Sequence, residues 1–450
     1  MGLRRSPWGI GAACLGVAAL SLLAPWAPTY DPWAWLVWGR EVAGLDLDTS
    51  AGPAWKPLPV LVTTLLAPLG GAAPWLWLLL ARAGGVLAVV LAFRIASRLA
   101  EGGGRSFAGC VAGLGLLSTT GFLRGVAGGS SEGLLIALLL LAFLRHLDGH
   151  RGHAFALGTA ASLLRPEVWP FLAVYAVWLW RREPEARRLV AALLPLVPLL
   201  WFLPELWGSG DLLRSSERAQ IPNPGAPTLA DYPALEVVRR FVQMLVLPIA
   251  VGAIGAVVLA VRRREAELLA LVAGMVGWVA LVALMSEAGF SGEERYLLVA
   301  SALASVLAGI AAGRLLNLAA GRAPRAAVAG AAAAVACAVM LAVPAARDLG
   351  DELAYAADLR TDLAAAVDEA GGMRSLRDCG PLYAGRARFP LIAWHVDAHI
   401  SDLGLEPRAP GVVLRSRLTE DEPAEPAAPP GEFTLVARSG TWEVLTSCAT

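Results

Sequence analysis

The apolar and polar positions of this 450-residue chain fall into long blocks rather than alternating faces. A membrane-crossing helix needs about 20 mostly apolar residues. Runs of that character recur at 8–26, 74–93, 106–122, 131–144, 153–164, 169–180, 189–206, 241–261, 267–285, 296–313 and 326–345. The pattern predicts an α-helical polytopic membrane protein with about eleven transmembrane helices, the shorter of them tilted, broken or re-entrant. The first run comes after two arginines, as a leader does, but lacks a clear A-x-A site; cleaved or not, it delivers the next segment of the chain to the outside.

Composition sharpens the class. Hydrophobic residues make up 57% and charged residues 16%, against roughly 45–50% and about 25% in soluble domains. A soluble enzyme is thereby excluded. The net charge of zero gives no basic field to recruit nucleic acid, so no nucleic-acid partner is expected. Orientation comes from the cations. With Arg4 and Arg5 cytoplasmic, 17 cations fall in inner connections and 9 in outer ones, as the positive-inside rule requires. Tryptophans at 26, 33, 35, 38, 55, 75 and 77 lie near the ends of apolar runs, where indoles sit at the headgroup level.

Eleven spans leave the C-terminus outside. This divides the chain into a transmembrane domain at 1–345 and a small extracytoplasmic α+β domain at 346–450. In the latter, an amphipathic helix is expected near 347–370, a short helix near 389–398, and strands at 411–416, 433–438 and 441–446. Ser439-Gly440 reads as a hairpin turn, and the Pro/Ala/Glu-rich stretch 422–430 as a flexible loop. Cys14, Cys110 and Cys337 sit in apolar runs, whereas Cys379 and Cys448 lie in the outer domain, where an oxidising compartment lets them pair.

Ionisable residues at a membrane are costly and so are candidates for function. Under this topology Asp31, Arg40, Glu41, Lys56, Arg124, Glu132, Arg165, Glu167, Glu293, Glu294 and Arg295 all belong to the outer side. Lys56 is the only lysine in the chain. In the first outer loop, Asp31-Pro32 opens a tryptophan-rich run to Gly39-Arg40, with Asp31 as helix cap and Pro32 at the first helical position. Trp55-Lys56-Pro57-Leu58-Pro59 opens a second segment running to Gly70. Both read as interfacial helices. Arg82 lies within the second span with no partner evident. His395 and His399, four apart, have the spacing of two metal ligands on one helical face, though a surface face is the plainer reading. His146, His150 and His153 share a short inner loop and read as solvated.

The order of these segments resembles the GT-C superfamily of polyprenyl-phosphate-sugar-dependent glycosyltransferases, which includes the protein O-mannosyltransferases and aminoarabinose transferases. The resemblance covers about residues 1–345 and rests on Asp31 after the first span, the two loop helices, Leu164-Arg165-Pro166-Glu167 and Glu294-Arg295-Tyr296-Leu297-Leu298. Lys56-Pro57-Leu58-Pro59 lacks the His-Pro-Pro form of the mannosyltransferases, so their acceptor does not carry over. The resemblance implies transfer of a sugar from a polyprenyl-phosphate donor, at the outer face, to a glycan, protein or lipid acceptor, with inversion. Asp31 is the implied base. Arg295, Arg165, Lys56 and Arg40 are the implied phosphate partners, and Glu132 and Glu167 would position the acceptor or a divalent ion, the one cofactor considered. No phosphate-cradling G-x-x-x-x-G-K-[ST] loop is present. The competing readings are a transporter or flippase for a lipid or anionic solute and an inactive scaffold of the same fold. A transporter would show paired midplane charges and related halves; here the charges gather at one face and no internal repeat is evident.

Overall fold

The computed structural model describes residues 7–417, 423–427 and 431–448. Arg4, Arg5 and part of the 422–430 stretch lie outside the described residues, as does the Cys337 side chain. The chain is an integral membrane protein, mostly helical with a small C-terminal sheet. Helices stand where most apolar runs predict them. By length and composition, however, four of the described helices can cross a membrane, or five if a pair bent by 111° at 245–246 counts as one span. Several others are shorter, such as Arg105–Leu117 and Arg151–Ser162.

Contacts divide the chain into two compact units. The first comprises Met1–Ser21, Leu79–Trp201 and Ser216–Arg347. Its most enclosed element is the helix Glu294–Ala320, whose candidate span is 83% buried. Small residues let other helices approach it. A Cβ on Gly309 would lie 2.4 Å from the Ala108 carbonyl oxygen, and one on Gly252 2.9 Å from the Ala308 Cβ. Such contacts bring backbones close where no water drives association. On the outside, Leu247, Val251, Ile254, Val258 and Val261 are exposed along the helix Leu247–Arg263, an apolar face suited to lipid. Arg82 is satisfied by helix ends. Its Nη1 donates to the Ser21 carbonyl (2.8 Å) and its Nε and Nη2 to the Ala127 carbonyl (3.1 and 2.9 Å). These residues close the helices Pro7–Ser21 and Phe122–Ala127, whose C-termini carry partial negative charge.

The second unit comprises Leu22–Leu78, Phe202–Ser215 and Asp348–Thr450. It thus joins the loop that follows the first apolar run to the C-terminal residues. The boundary expected at 345 falls inside one continuous helix, Pro324–Glu369. The sheet contains β1 (Leu382–Ala384), β2 (Leu403–Gly404), β3 (Gly411–Ser416), β4 (Thr434–Ser439) and β5 (Trp442–Ser447), in the order β2-β1-β3-β5-β4. β1 runs parallel to β2 and β3, and the rest is antiparallel, with Val413 opposite Leu445. The three longer strands match the sequence reading to within one residue, whereas β1 and β2 are too short to show a period. Gly440, at φ +48°, permits the tight β4–β5 turn against Asp362, which accepts the Thr441 N–H at 2.9 Å. Buried Trp442 donates to the Leu359 carbonyl at 2.7 Å and pins the sheet to the long helix. Cys379 and Cys448 form a disulfide.

The loop helices Tyr30–Gly44 and Pro57–Leu66 pack closely in this unit. Two details differ from expectation. The first helix starts at Tyr30, so Asp31 occupies its first turn rather than the cap, and it runs beyond Gly39-Arg40 to Gly44. The tryptophans also point inward. Trp33, Trp35, Trp38, Trp55 and Trp77 are each at most 4% exposed, because their rings pack on other rings: Trp35 edge-on to Trp77 at 5.4 Å, Trp38 5.6 Å from Trp55, and Trp33 6.2 Å from Trp394. They form a core rather than a headgroup belt. Gly39 sets the crossing: a Cβ there would meet Thr63 Oγ1 at 2.4 Å and its backbone carbon at 2.6 Å. The Thr63 hydroxyl donates to the Trp35 carbonyl at 2.6 Å. Gly39→Val is therefore expected to destabilise the protein by about 1–3 kcal/mol through overpacking, read as a lower unfolding temperature in detergent. Gly11→Val, which meets nothing within 4 Å, is the neutral control.

Candidate active site

The geometry begins with Asp31 and Lys56. The first turn of one loop helix carries Asp31, and the position just before the other carries Lys56, held extended (φ −137°, ψ 112°) ahead of Pro57, as the residue before a proline tends to be. The crossing at Gly39 then brings the charges together. Lys56 Nζ lies 3.8 Å from Asp31 Oδ2 and 4.9 Å above the Trp35 ring. Their side chains are 11% and 19% exposed. An ammonium over an indole face gains further cation–π attraction. The result is a carboxylate and a point-charge cation side by side, open to solvent on a limited aperture. This pair offers an oxyanion-binding charge beside a proton acceptor.

The other unit holds a second cluster. Pro166 forces Arg165 into extended backbone (φ −150°, ψ 130°), and its guanidinium reaches Glu132 at the start of the helix Glu132–Leu147. Arg165 Nη1 also lies 3.3 Å from Glu167 Oε1, and the guanidinium carbon sits 4.2 Å above the Tyr296 ring. All three charged side chains are at most 5% exposed. Proposed from sequence as separate phosphate and acceptor residues, they form one buried ion cluster with more carboxylates than cations. Arg295 faces the same ring, its guanidinium carbon 5.5 Å from the Tyr296 centroid. Its Nε lies 3.1 Å from Glu293 Oε2, and its side chain is 43% exposed, which leaves it far more accessible than Arg165.

Arg40 is engaged elsewhere. Its guanidinium donates to the Ala398 carbonyl at 2.8 Å, pairs with Asp397 Oδ1 at 2.8 Å and lies 5.7 Å from the Trp394 ring centroid. These groups surround the C-terminal end of the helix Phe389–Val396, so Arg40 serves as a helix-end cation. His395 and His399 do not share a helical face. The helix ends at Val396 and Asp397 turns left-handed (φ 53°). His395 Nδ1 lies 2.9 Å from the Leu391 carbonyl. Among the described residues, no three His, Cys, Asp or Glu side chains converge to hold a metal ion, and Glu132 and Glu167 are already turned to Arg165. In the first unit, His146 is not merely solvated: Nδ1 lies 2.9 Å from the Tyr175 hydroxyl.

Sequence reasoning missed the role of Glu41. His399 Nδ1 lies 2.9 Å from Glu41 Oε1 and Nε2 3.3 Å from Asp46 Oδ2, while Glu41 Oε2 accepts the Asp48 N–H at 3.1 Å. A cavity of about 480 Å³ opens here, bordered also by Arg40, Arg377 and Asp402. Burial pushes the Glu41 carboxyl up to about 7, against the pull of Asp48 and His399. Burial alone would lower His399, but the Glu41 hydrogen bond and charge, with Asp402 and Asp46, hold it above its ordinary value. Only Glu41, an acid flanked by a polar loop, was visible as a charge in the sequence; its partner lies more than 350 residues away.

Comparison with solved structures places the fold. ArnT from Cupriavidus metallidurans bound to undecaprenyl phosphate aligns with a TM-score of 0.59 at 14% identity, covering 98% of this chain and 98% of that one. The apo-state structure of ArnT aligns at 0.60 and 16%, covering 98% and 97%. The chain shares the fold of ArnT. No family model matches it and no curated protein matches it significantly. Because the alignment runs through nearly the whole of both chains, the GT-C resemblance extends beyond the loop motifs to the C-terminal residues.

Two outcomes test these clusters. Removing Arg165 strands two buried carboxylates, so Arg165→Met is expected to cost about 3–5 kcal/mol, and adding Glu132→Gln to that variant should restore part of the loss in thermal unfolding. The second concerns pH. Glu41 is raised from 4.5 to about 7 in the folded protein, so its contribution is present below pH 4.5 and lost as pH climbs through 7. The raised His399 contributes fully below 6.5 and loses that contribution above it. Both shifts have the same sign, so unfolding temperature should fall from pH 5 to 8. Glu41→Gln should flatten the slope, measured by tryptophan fluorescence in detergent.

Proposed function

We propose that this protein is a GT-C glycosyltransferase that moves a sugar from a polyprenyl-phosphate carrier to an acceptor hydroxyl at the outer face of the cell membrane. The observation that carries the reading is the whole-length likeness to ArnT, one of whose structures holds undecaprenyl phosphate, joined to the Asp31–Lys56 pair on the first outer loop. The arginine distribution supports the outer placement of that loop.

The chemistry needs little from the protein. Polyprenyl phosphate is a good leaving group, so one base and a complementary positive charge suffice. Asp31 accepts the proton of the acceptor hydroxyl as its oxygen bonds to the anomeric carbon. The bond from that carbon to the phosphate oxygen breaks, and its electron pair leaves with the carrier phosphate. Lys56 supplies a point charge for the growing phosphate charge. Arg295, with its side chain 43% exposed, is the second phosphate candidate that the GT-C resemblance implies. Arg165, Glu132 and Glu167 shape the first unit from a buried position. A single displacement inverts the anomeric centre and leaves no covalent sugar on the enzyme.

The test is sugar release from a panel of radiolabelled polyprenyl-phosphate sugars by detergent-purified protein. Asp31→Asn should lower kcat by about 100-fold or more, the scale of a lost general base, while keeping donor affinity. Lys56→Ala and Arg295→Ala should each raise the donor KM. Transfer by none of the donors, with Asp31→Asn binding polyprenyl phosphate like the wild type, would overturn the enzyme reading in favour of a transporter or scaffold.

A further inference from the structure

Glu205 is an acid that neither the motif order nor the proposed chemistry uses, and it is 0% exposed. It sits one residue after Pro204 near the end of the helix Leu196–Ser209. A carboxylate so enclosed must accept hydrogen bonds, and it does. Ser215 Oγ donates to Glu205 Oε1, and Thr49 Oγ1 donates to Oε2 at 3.2 Å. Arg214 Nη1, 3.9 Å from Oε1, balances the charge. All of these residues belong to the second compact unit.

The bonds lead toward Lys56. The same Ser215 oxygen accepts the Trp55 N–H at 2.6 Å, immediately before Lys56. Because that oxygen is accepting from the backbone, its own proton must go to Glu205. Arg214 continues the grip, donating to the Pro53 carbonyl at 2.6 Å and the Gly52 carbonyl at 3.0 Å. At the near end, the Thr49 N–H donates to the Gly208 carbonyl at 3.2 Å, and a Cβ on Gly208 would come within 2.8 Å of Thr49 Oγ1. The strand of loop from Thr49 to Trp55 is thus held at both ends and in the middle by 205–215.

We infer that Glu205 is a positioning residue: through Ser215 and Thr49 it fixes the backbone ahead of Lys56 and so sets the lysine against Asp31. The consequence for catalysis rests on the function proposed above; the clamp itself does not. A glutamine at 205 has an accepting oxygen on one side and N–H donors on the other, so one of the Ser215 and Thr49 hydroxyls must turn from donating to accepting, and the charge facing Arg214 is lost.

The test uses the full-length protein in detergent and exploits the single lysine. Acylation of Lys56 by an amine-reactive reagent, followed by peptide mass spectrometry, reports its enclosure without any need for activity. Glu205→Gln and Ser215→Ala should acylate several-fold faster than wild type, and Ser215→Thr, which keeps the hydroxyl, should match wild type. In the transfer assay the first two should raise donor KM by about tenfold, a modest share of the roughly 100-fold that a 1 Å misplacement can cost, with Ser215→Thr near normal. A merely structural role would lower the active fraction and hence kcat, leaving KM and Lys56 acylation of the folded protein unchanged; that result overturns the inference. Equal impairment of Ser215→Ala and Ser215→Thr overturns it too. A wild type without transfer activity defeats the proposed function, and the acylation comparison then judges the clamp.

Discussion

A charged or hydrogen-bonding group taken out of water must bring its partner with it, and in so apolar a chain this constraint organises the structure. Arg82 finds the carbonyl ends of two helices. Arg165 finds two glutamates and a tyrosine ring. Glu205 collects two hydroxyls and an arginine. Each arrangement removes a penalty that would otherwise reach several kcal/mol, and each ties together segments far apart in the chain.

The Asp31–Lys56 pair is made possible by packing that carries no charge. The indole core of Trp35, Trp38, Trp55 and Trp77 fixes the loop helices, Gly39 lets them close on Thr63, and only then do the two side chains meet at 3.8 Å. With its side chain 19% exposed, Asp31 is reachable from solvent, whereas Glu132, Arg165 and Glu167 are enclosed. Which charges stay accessible and which are enclosed is therefore set by burial, not residue type.

The C-terminal residues are bound to the loop. Arg40 closes the end of the helix Phe389–Val396, His399 answers Glu41 and Asp46, and Ser401 donates to Asp48. A loop that carries the proposed base is thereby braced by the last quarter of the chain. That gives the C-terminal residues a physical role that motif order did not assign.

The sequence by itself determined the membrane class, the places of most helices, the three longer strands and the two helices of the loop after the first apolar run. Those features are local: hydrophobic runs, a period of two, and proline and aspartate at a helix start are readable within a window of neighbours. The helix starts at Asp31 and after Lys56 were legible for the same reason, whereas a role for either in sugar transfer was implied only by the GT-C resemblance. Only the tertiary structure decided which charges are buried, that Arg40 braces a helix end, that Arg165 lies between Glu132 and Glu167, and that Glu41 meets His399. It alone also exposed Glu205, whose partners Thr49 and Ser215 lie on either side of it in the sequence, the former 156 residues away. No local pattern encodes such contacts, because a carboxylate's partner is chosen by where packing places it.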